Sequence, residues 1–272
     1  MIEALGFSFV QNALLAGFLV SIACGIVGSL VVANRMVFIA GGIAHGAYGG
    51  LGIAFFVGVS PLFGALAFSL VLALALAYLT YQNRNRVDAV IGAIWAFGMA
   101  VGIICVDLTS GYNADLMSFL FGSILSVSKE DLTLMWIVCA LIVAIVGFFY
   151  KEFLAVSFDM EFASLQGLNT KFFYTLLILI TALCIVATIR AVGLILVVAL
   201  LSIPPYIAEK FCSKLITLMG FSVLLSVIFT FVGLVLSYMF NLTSGASIIM
   251  VASLAFGLTY IKMSFFGKHF VR

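Results

Sequence analysis

The sequence predicts an all-α polytopic membrane protein with about nine transmembrane helices, a short re-entrant or interfacial helix and a small cytoplasmic helix between two spans. Three observations lead there. Hydrophobic residues make up 65% of the 272 and charged residues only 8%, where a soluble domain would carry roughly a quarter charged. Mean hydropathy is +1.36, and apolar runs of about 20 residues, enough to cross a ~30 Å hydrocarbon core, recur along the chain. Finally, Lys and Arg sort to one side of those runs, as cytoplasmic loops require.

The spans fall at residues 10–32, 37–59, 62–81, 87–108, 132–150, 172–189, 191–207, 215–240 and 242–261. With the N-terminus outside and the C-terminus in the cytoplasm, ten of the 12 Lys and Arg residues lie inside, leaving Lys129 and Arg190 outside. The span at 191–207 follows Arg190 directly and ends at Pro204-Pro205, where a helix would kink or stop. Without it the count is eight and the charge asymmetry suffers.

The connections carry more information than the spans. Ser60-Pro61 is the turn between the second and third. Residues 107–131 begin polar and then return to an apolar stretch, 116–127, too short to cross, which fits a re-entrant or interfacial helix. Residues 151–171 belong in the cytoplasm. Within them Asp159 and Glu161 favour a helix start and Gly167 a stop, while Phe158, Phe162 and Leu165 share one face. That face suits either a partner or the membrane interface. Residues 241–245 read as a tight outside turn.

No polar segment is long enough to bury a core of its own, so a single membrane domain fills residues 1–272. Met1-Ile2-Glu3 shows no basic n-region or cleavage site, and the first span is expected to stay. The net charge of +2 implies no nucleic-acid partner, because membrane orientation accounts for the basic residues; the tail around Lys268 and His269 reads as a solvated end. Cys24, Cys105, Cys139, Cys184 and Cys212 stand singly, without metal-ligand spacing, and read as small apolar residues.

The chemistry present is sparse. No phosphate-binding loop of the Gly-x-x-x-x-Gly-Lys-Ser/Thr type occurs, so any ATP must be hydrolysed by another chain. With two histidines in all, a nucleophile with a base and an orienting acid has almost nothing to draw on, and an enzyme is not expected. His45 stands out instead as the only Asp, Glu, Lys, Arg or His between Arg35 and Arg84. A helix beginning near Arg35 puts it about halfway through the hydrocarbon, where transporters hold or constrict their cargo. Neutral imidazole is a good ligand for late divalent metals. A hydrogen bond to a neighbouring carbonyl would equally account for it.

Gly42, Gly46 and Gly50 recur at the four-residue spacing that lets helices approach closely. Together with Gly41 and Gly49 they could instead leave a clear wall beside a path. Asp88, after Arg84 and Arg86, suits a pairing with Arg84 or the interface. On these residues alone an ion-coupled secondary transporter of a small cation or solute stays open beside an ATP-driven one, although intramembrane carboxylates to hold a coupling ion are few.

Several short motifs then occur in a telling order. Arg35-Met36-Val37-Phe38 is followed by His45, then by Asp88-Ala89-Val90-Ile91-Gly92, by Leu120-Phe121-Gly122, by a Ser-Phe-Asp-x-Glu-x-Ala-x-x-x-Gly run over residues 157–167, and by Pro204 with Ala208. Over nearly its whole length the chain resembles the membrane permeases of the zinc, manganese and iron class of ATP-binding-cassette importers. The resemblance implies a homodimer in a prokaryotic cytoplasmic (inner) membrane, enclosing a central path. It also implies two cytoplasmic ATP-binding subunits and an extracytoplasmic metal-binding protein that delivers the ion. The metal would be substrate, with no cofactor bound permanently. Phe158, Asp159, Glu161, Phe162, Ala163 and Gly167 would form the coupling helix seated on the ATPase, and His45, with Gly41, Gly42, Gly46 and Gly49, would line the path and touch the metal transiently. One departure matters: where the family carries aspartate four residues before the histidine, this chain has Gly41. Losing the carboxylate leans the expected cargo away from manganese and toward zinc, then iron. The turn after Asn241 also lacks the family's usual proline.

Overall fold

In lipid every backbone N–H and C=O must find a partner within its own segment, so the apolar runs fold as helices. The computed structural model describes residues 7–82, 87–109, 119–120 and 122–266. Among the described residues there are ten α-helices and no strand: α1 (Ser8–Ala33), α2 (Val37–Val57), α3 (Pro61–Gln82), α4 (Val87–Asp107), α5 (Lys129–Phe148), α6 (Tyr150–Phe158), α7 (Met160–Leu165), α8 (Thr170–Glu209), α9 (Leu215–Phe240) and α10 (Ser244–Phe266). Eight of these are long and apolar enough to cross a bilayer. Arg84 and Arg86, most of the polar loop after α4, the first residues of the 116–127 stretch and the tail with Lys268 and His269 lie outside the described residues.

The spans expected at 172–189 and 191–207 are two limbs of α8, whose 40 residues would measure about 60 Å if straight. They do not run straight. Cys24 of α1 sits beside Cys184, Sγ to Sγ 4.0 Å. Gly28, one turn further along α1, lies against Leu201 and Pro205. A straight α8 would carry Leu201 about 25 Å past Cys184, so the chain must double back between them. It does so at Gly193, where φ is 77° and ψ 162°, a conformation essentially reserved for glycine.

Two expectations are corrected here. The helix neither stops nor breaks at Pro204-Pro205 but runs on to Glu209. Pro205 has no N–H to offer Leu201 O, and α1 approaches closely there, the bare Cα side of Gly28 facing that carbonyl. The apolar stretch 116–127 is not one helix to its end. Residues 119–120 are helical, but Gly122 takes a φ of +66° and the chain continues through a single 3₁₀ turn, Ile124–Ser126. Gly122 lies flush on the backbone of Val192 and Gly193, and Ile124 and Val127 are buried. Irregular backbone survives there because protein encloses it.

Each end of the bundle has a polar lock. At one end Ser128 and Asp131 form a reciprocal capping box at the start of α5, which two N-terminal donors need. Asp131 Oδ1 also accepts from Arg190 Nη1 at 2.9 Å, tying α5 to the α8 turn. At the opposite end Thr80 and Tyr81 of α3 meet Tyr174 and Thr170 of α8 at 2.8 Å and 3.1 Å. Arg35, Lys151 and Lys171 share that end with α7, while Lys129 and Arg190 lie at the other. Between α9 and α10 the expected tight turn forms at Asn241, left-handed at φ 54°.

Candidate functional site

His45 occupies the middle of α2, which packs between α3 and α4. Its Nδ1–H donates to Gly41 O at 3.0 Å, because a carbonyl can only accept. That bond fixes the tautomer and leaves the lone pair on Nε2, the state in which imidazole binds metals. The side chain is half-buried, at the surface of the bundle between α2 and α4. Trp95 of α4 lies against it, ring centroids 3.9 Å apart and planes 29° from parallel. The Trp95 indole Nε1–H donates to Met99 Sδ at 3.1 Å, and Phe38 flanks the indole at 6.1 Å. A Cβ on Gly41 would find Trp95 Cζ3 at 3.8 Å and nothing closer, so the indole stands beside the position where the motif's carboxylate would begin.

The other glycines of this helix serve packing. A Cβ on Gly42 would lie 2.5 Å from Ile91 Cγ2, and one on Gly49 would lie 2.6 Å from Gly98 O. One on Gly46 would run into Leu72, and Gly52 sits directly on Gly102. Gly42, Gly46 and Gly49 therefore face α3 and α4 rather than open space, and their small size lets the three helices touch. Of the five path residues expected from sequence, the structure brings together His45 and Gly41.

The second locus is α7. Asp159 caps it, Oδ1 accepting from Glu161 N at 3.0 Å and Phe162 N at 2.9 Å. Gly167 ends it in a left-handed turn, φ +84°, as the sequence led one to expect. Ala163 is 1% exposed and anchors the helix on the bundle, while Phe158 and Leu165 are 78% and 86% exposed and Phe162 also points outward. Those three do not lie back on the protein's own helices. Just before α7, Ser157 Oγ accepts from Asn34 Nδ2 at 2.8 Å, which joins this corner to the C-cap of α1.

Sequence reasoning missed Trp95 and Met99. One signal was available: tryptophan favours the membrane interfaces, yet Trp95 sits in the middle of its span. It also missed that Cys24, Cys139 and Cys184, though far apart in the chain, gather where α1, α5 and α8 meet. Among the described residues, however, no group of three His, Cys, Asp or Glu could hold a metal ion. Asp88 is exposed in the first turn of α4; its expected partner Arg84 lies outside the described residues.

Eight bilayer-length helices, an intramembrane imidazole and a short amphipathic helix standing off one end define a polytopic permease. The family model of the ABC 3 transport family matches residues 6–263, and the chain belongs to that family; it is a transport subunit, not an enzyme. It is 48% identical over 256 residues to an uncharacterised membrane protein of Synechocystis, covering 94% of this chain and 91% of the relative. It is 32% identical over 255 residues to the manganese transport system membrane protein MntC of Listeria monocytogenes, covering 94% and 91%. Among solved structures it is similar to PsaBC from Streptococcus pneumoniae in complex with Fab, with a TM-score of 0.85, 30% identity, and 95% and 94% of the two chains covered.

Proposed function

We infer that this chain is the permease subunit of an ATP-driven importer of a divalent transition-metal ion, energised by a separate cytoplasmic ATP-binding subunit and supplied by an extracytoplasmic metal-binding protein. The observation that carries the reading is His45: a mid-span imidazole whose Nδ1–H is held by its own helix and whose Nε2 lone pair is left for an ion. Its place at the bundle surface suits a path completed by a second copy of the chain. The exposed apolar face of α7 suits the ATP-binding subunit, and the sorting of basic residues supports a cytoplasmic position for that end, in a prokaryotic inner membrane with the N-terminus outside. The metal is cargo and no cofactor is resident. The name of the Listeria relative speaks for manganese, and the donors here speak for a softer ion, because a nitrogen ligand without a carboxylate favours zinc, then iron.

Reconstitution with the ATP-binding subunit and the binding protein tests this by following ATP-dependent metal uptake. Loss of even an outer-shell partner of a metal ligand typically costs 10–100-fold, so removing the ligand itself in His45→Ala is expected to cut uptake by about tenfold or more. Undiminished uptake in that variant, or uptake that needs no ATPase, would overturn the reading.

Gly41→Asp is the complementary experiment. The space at Gly41 accepts a Cβ in ordinary contact with Trp95, and residues four apart share a helix face, so the new carboxylate would join His45. Competition uptake is expected to shift toward manganese relative to zinc by about tenfold, with the protein folded as before.

A further inference from the structure

We propose that Asn34 is a positioning residue, which ties the corner that carries α7 to the helix that carries His45, so that movement of α7 reaches the transit point. The proposal rests on the reading of α7 as the seat of the ATP-binding subunit and of His45 as a path residue.

The side-chain amide of Asn34 has two hydrogens to give, and two acceptors take them. Leu30 O accepts from Nδ2 at 2.8 Å, which closes the end of α1. Ser157 Oγ accepts from the same nitrogen at 2.8 Å, across to the last turn of α6. A helix cap would need the first bond alone. Ser157 stands two residues before Asp159, whose carboxylate caps α7 through Glu161 N and Phe162 N. The second bond is therefore one short step from the exposed face of α7.

On the other side of Asn34 the chain leads directly to His45. Residues 34–36 are all that separates α1 from α2. Arg35 N–H donates back to Val32 O at 3.0 Å and Met36 N–H to Val31 O at 2.8 Å, the bonding of a tight helix end. Arg35 takes the left-handed conformation, φ 57°, that glycine usually fills there, and its side chain leaves it fewer ways to move than glycine would have. Met36 is buried and leads into α2. His45 lies nine residues beyond it on one unbroken helix, a distance of about 14 Å. A stiff turn and a continuous helix pass a displacement on, where a flexible loop would absorb it.

The test uses the permease with its two partners in vesicles and reads metal taken up per ATP hydrolysed. Ser157→Ala removes the crossing bond and leaves the cap of α1. It is expected to keep the ATP-binding subunit attached and hydrolysing while uptake per ATP falls about fivefold, the factor that one lost hydrogen bond gives. Ser157→Thr, which keeps a hydroxyl, should retain the coupling. Asn34→Asp reverses the loss: its carboxylate can accept from the Ser157 hydroxyl but has nothing to donate to Leu30 O, and a negative charge suits a helix C-terminus poorly. Thermal stability should therefore fall further in Asn34→Asp than in Ser157→Ala, and uptake per ATP less. A merely structural Asn34 predicts the opposite ranking. Unchanged uptake per ATP in Ser157→Ala, with His45→Ala still defective, overturns the proposal and leaves the transport reading standing.

A second measurement reads the same link at His45 itself. Trp136 faces outward from α5, and Trp136→Phe leaves Trp95, stacked on His45 at 3.9 Å, as the sole tryptophan, since the chain has 2. With the solubilised permease labelled with 5-fluorotryptophan, unlabelled ATP-binding subunit and a non-hydrolysable ATP analogue are expected to shift the Trp95 fluorine resonance, and Ser157→Ala to remove most of that shift. A full shift in Ser157→Ala, or none before that change, overturns the proposal. This arm decides it even where the wild-type vesicles import no metal, an outcome that would defeat the transport reading instead.

Discussion

Gly193→Val is expected to leave the protein unable to reach its folded state, seen as aggregation after detergent extraction or as a collapse of its thermal transition. The backbone there has φ 77° and ψ 162°, and holding a residue with a Cβ in such a region costs about 1–3 kcal/mol before any contact is counted. Contacts add to it, because Gly193 is buried and the Gly122 backbone lies close against Val192 and Gly193. The damage would not stay local. The reversal at Gly193 sets the register of the second limb of α8, and with it the seating of Leu201 and Pro205 against Gly28 of α1. Gly193→Ala should show the backbone part of the penalty with a smaller steric part. Gly147→Ala, at a helical position with no atom within 4 Å of the added carbon, should be neutral or slightly stabilising, as alanine is the better helix former by about 1 kcal/mol.

The crossings were legible because hydrocarbon thickness fixes a run length and loop charge fixes a side. Neither depends on what a helix touches. α7 was legible for a different reason: Asp159, Gly167 and the apolar positions at 158, 162 and 165 follow the capping and periodicity rules of soluble helices. Helix contacts were not legible. A buried span is apolar on every face, so the 3.6-residue period that marks an inward side in a soluble protein carries little signal. That is why Gly42, Gly46 and Gly49 read equally well as path or packing until Ile91, Leu72 and Gly98 were placed beside them. It is also why Trp95 could not be set against His45, which lies 50 residues earlier on a different helix. The proline pair misled because its cost is judged for an isolated helix, whereas here the segment is buried and packed against Gly28 of α1.

Phe162→Asp combined with Leu165→Asp is expected to abolish ATP-driven uptake while the permease itself stays folded. Both side chains point into solvent, so charging them should change the stability of the free permease by no more than about 0.5 kcal/mol each. The loss would fall on association. Aromatic and large apolar anchors at the centre of an interface are typically worth about 2 kcal/mol or more each, and a carboxylate placed in that apolar contact adds an unpaired charge that burial penalises. If the two add to about 4 kcal/mol, affinity falls by several hundred-fold, since about 1.4 kcal/mol is a factor of ten. Co-purification of the ATP-binding subunit measures it directly, and retention of that subunit with full uptake would show that α7 is not the seat. Ala163→Leu separates docking from anchoring. Ala163 is buried against the bundle, so a larger side chain there should lift α7 off its support while leaving the outward face chemically intact. An uptake defect with the ATP-binding subunit still attached would mean that force passes through the contact beneath α7, toward the Asn34 and Ser157 hydrogen bond and the end of α1. A defect confined to the aspartate variants would place the whole requirement on the outward face.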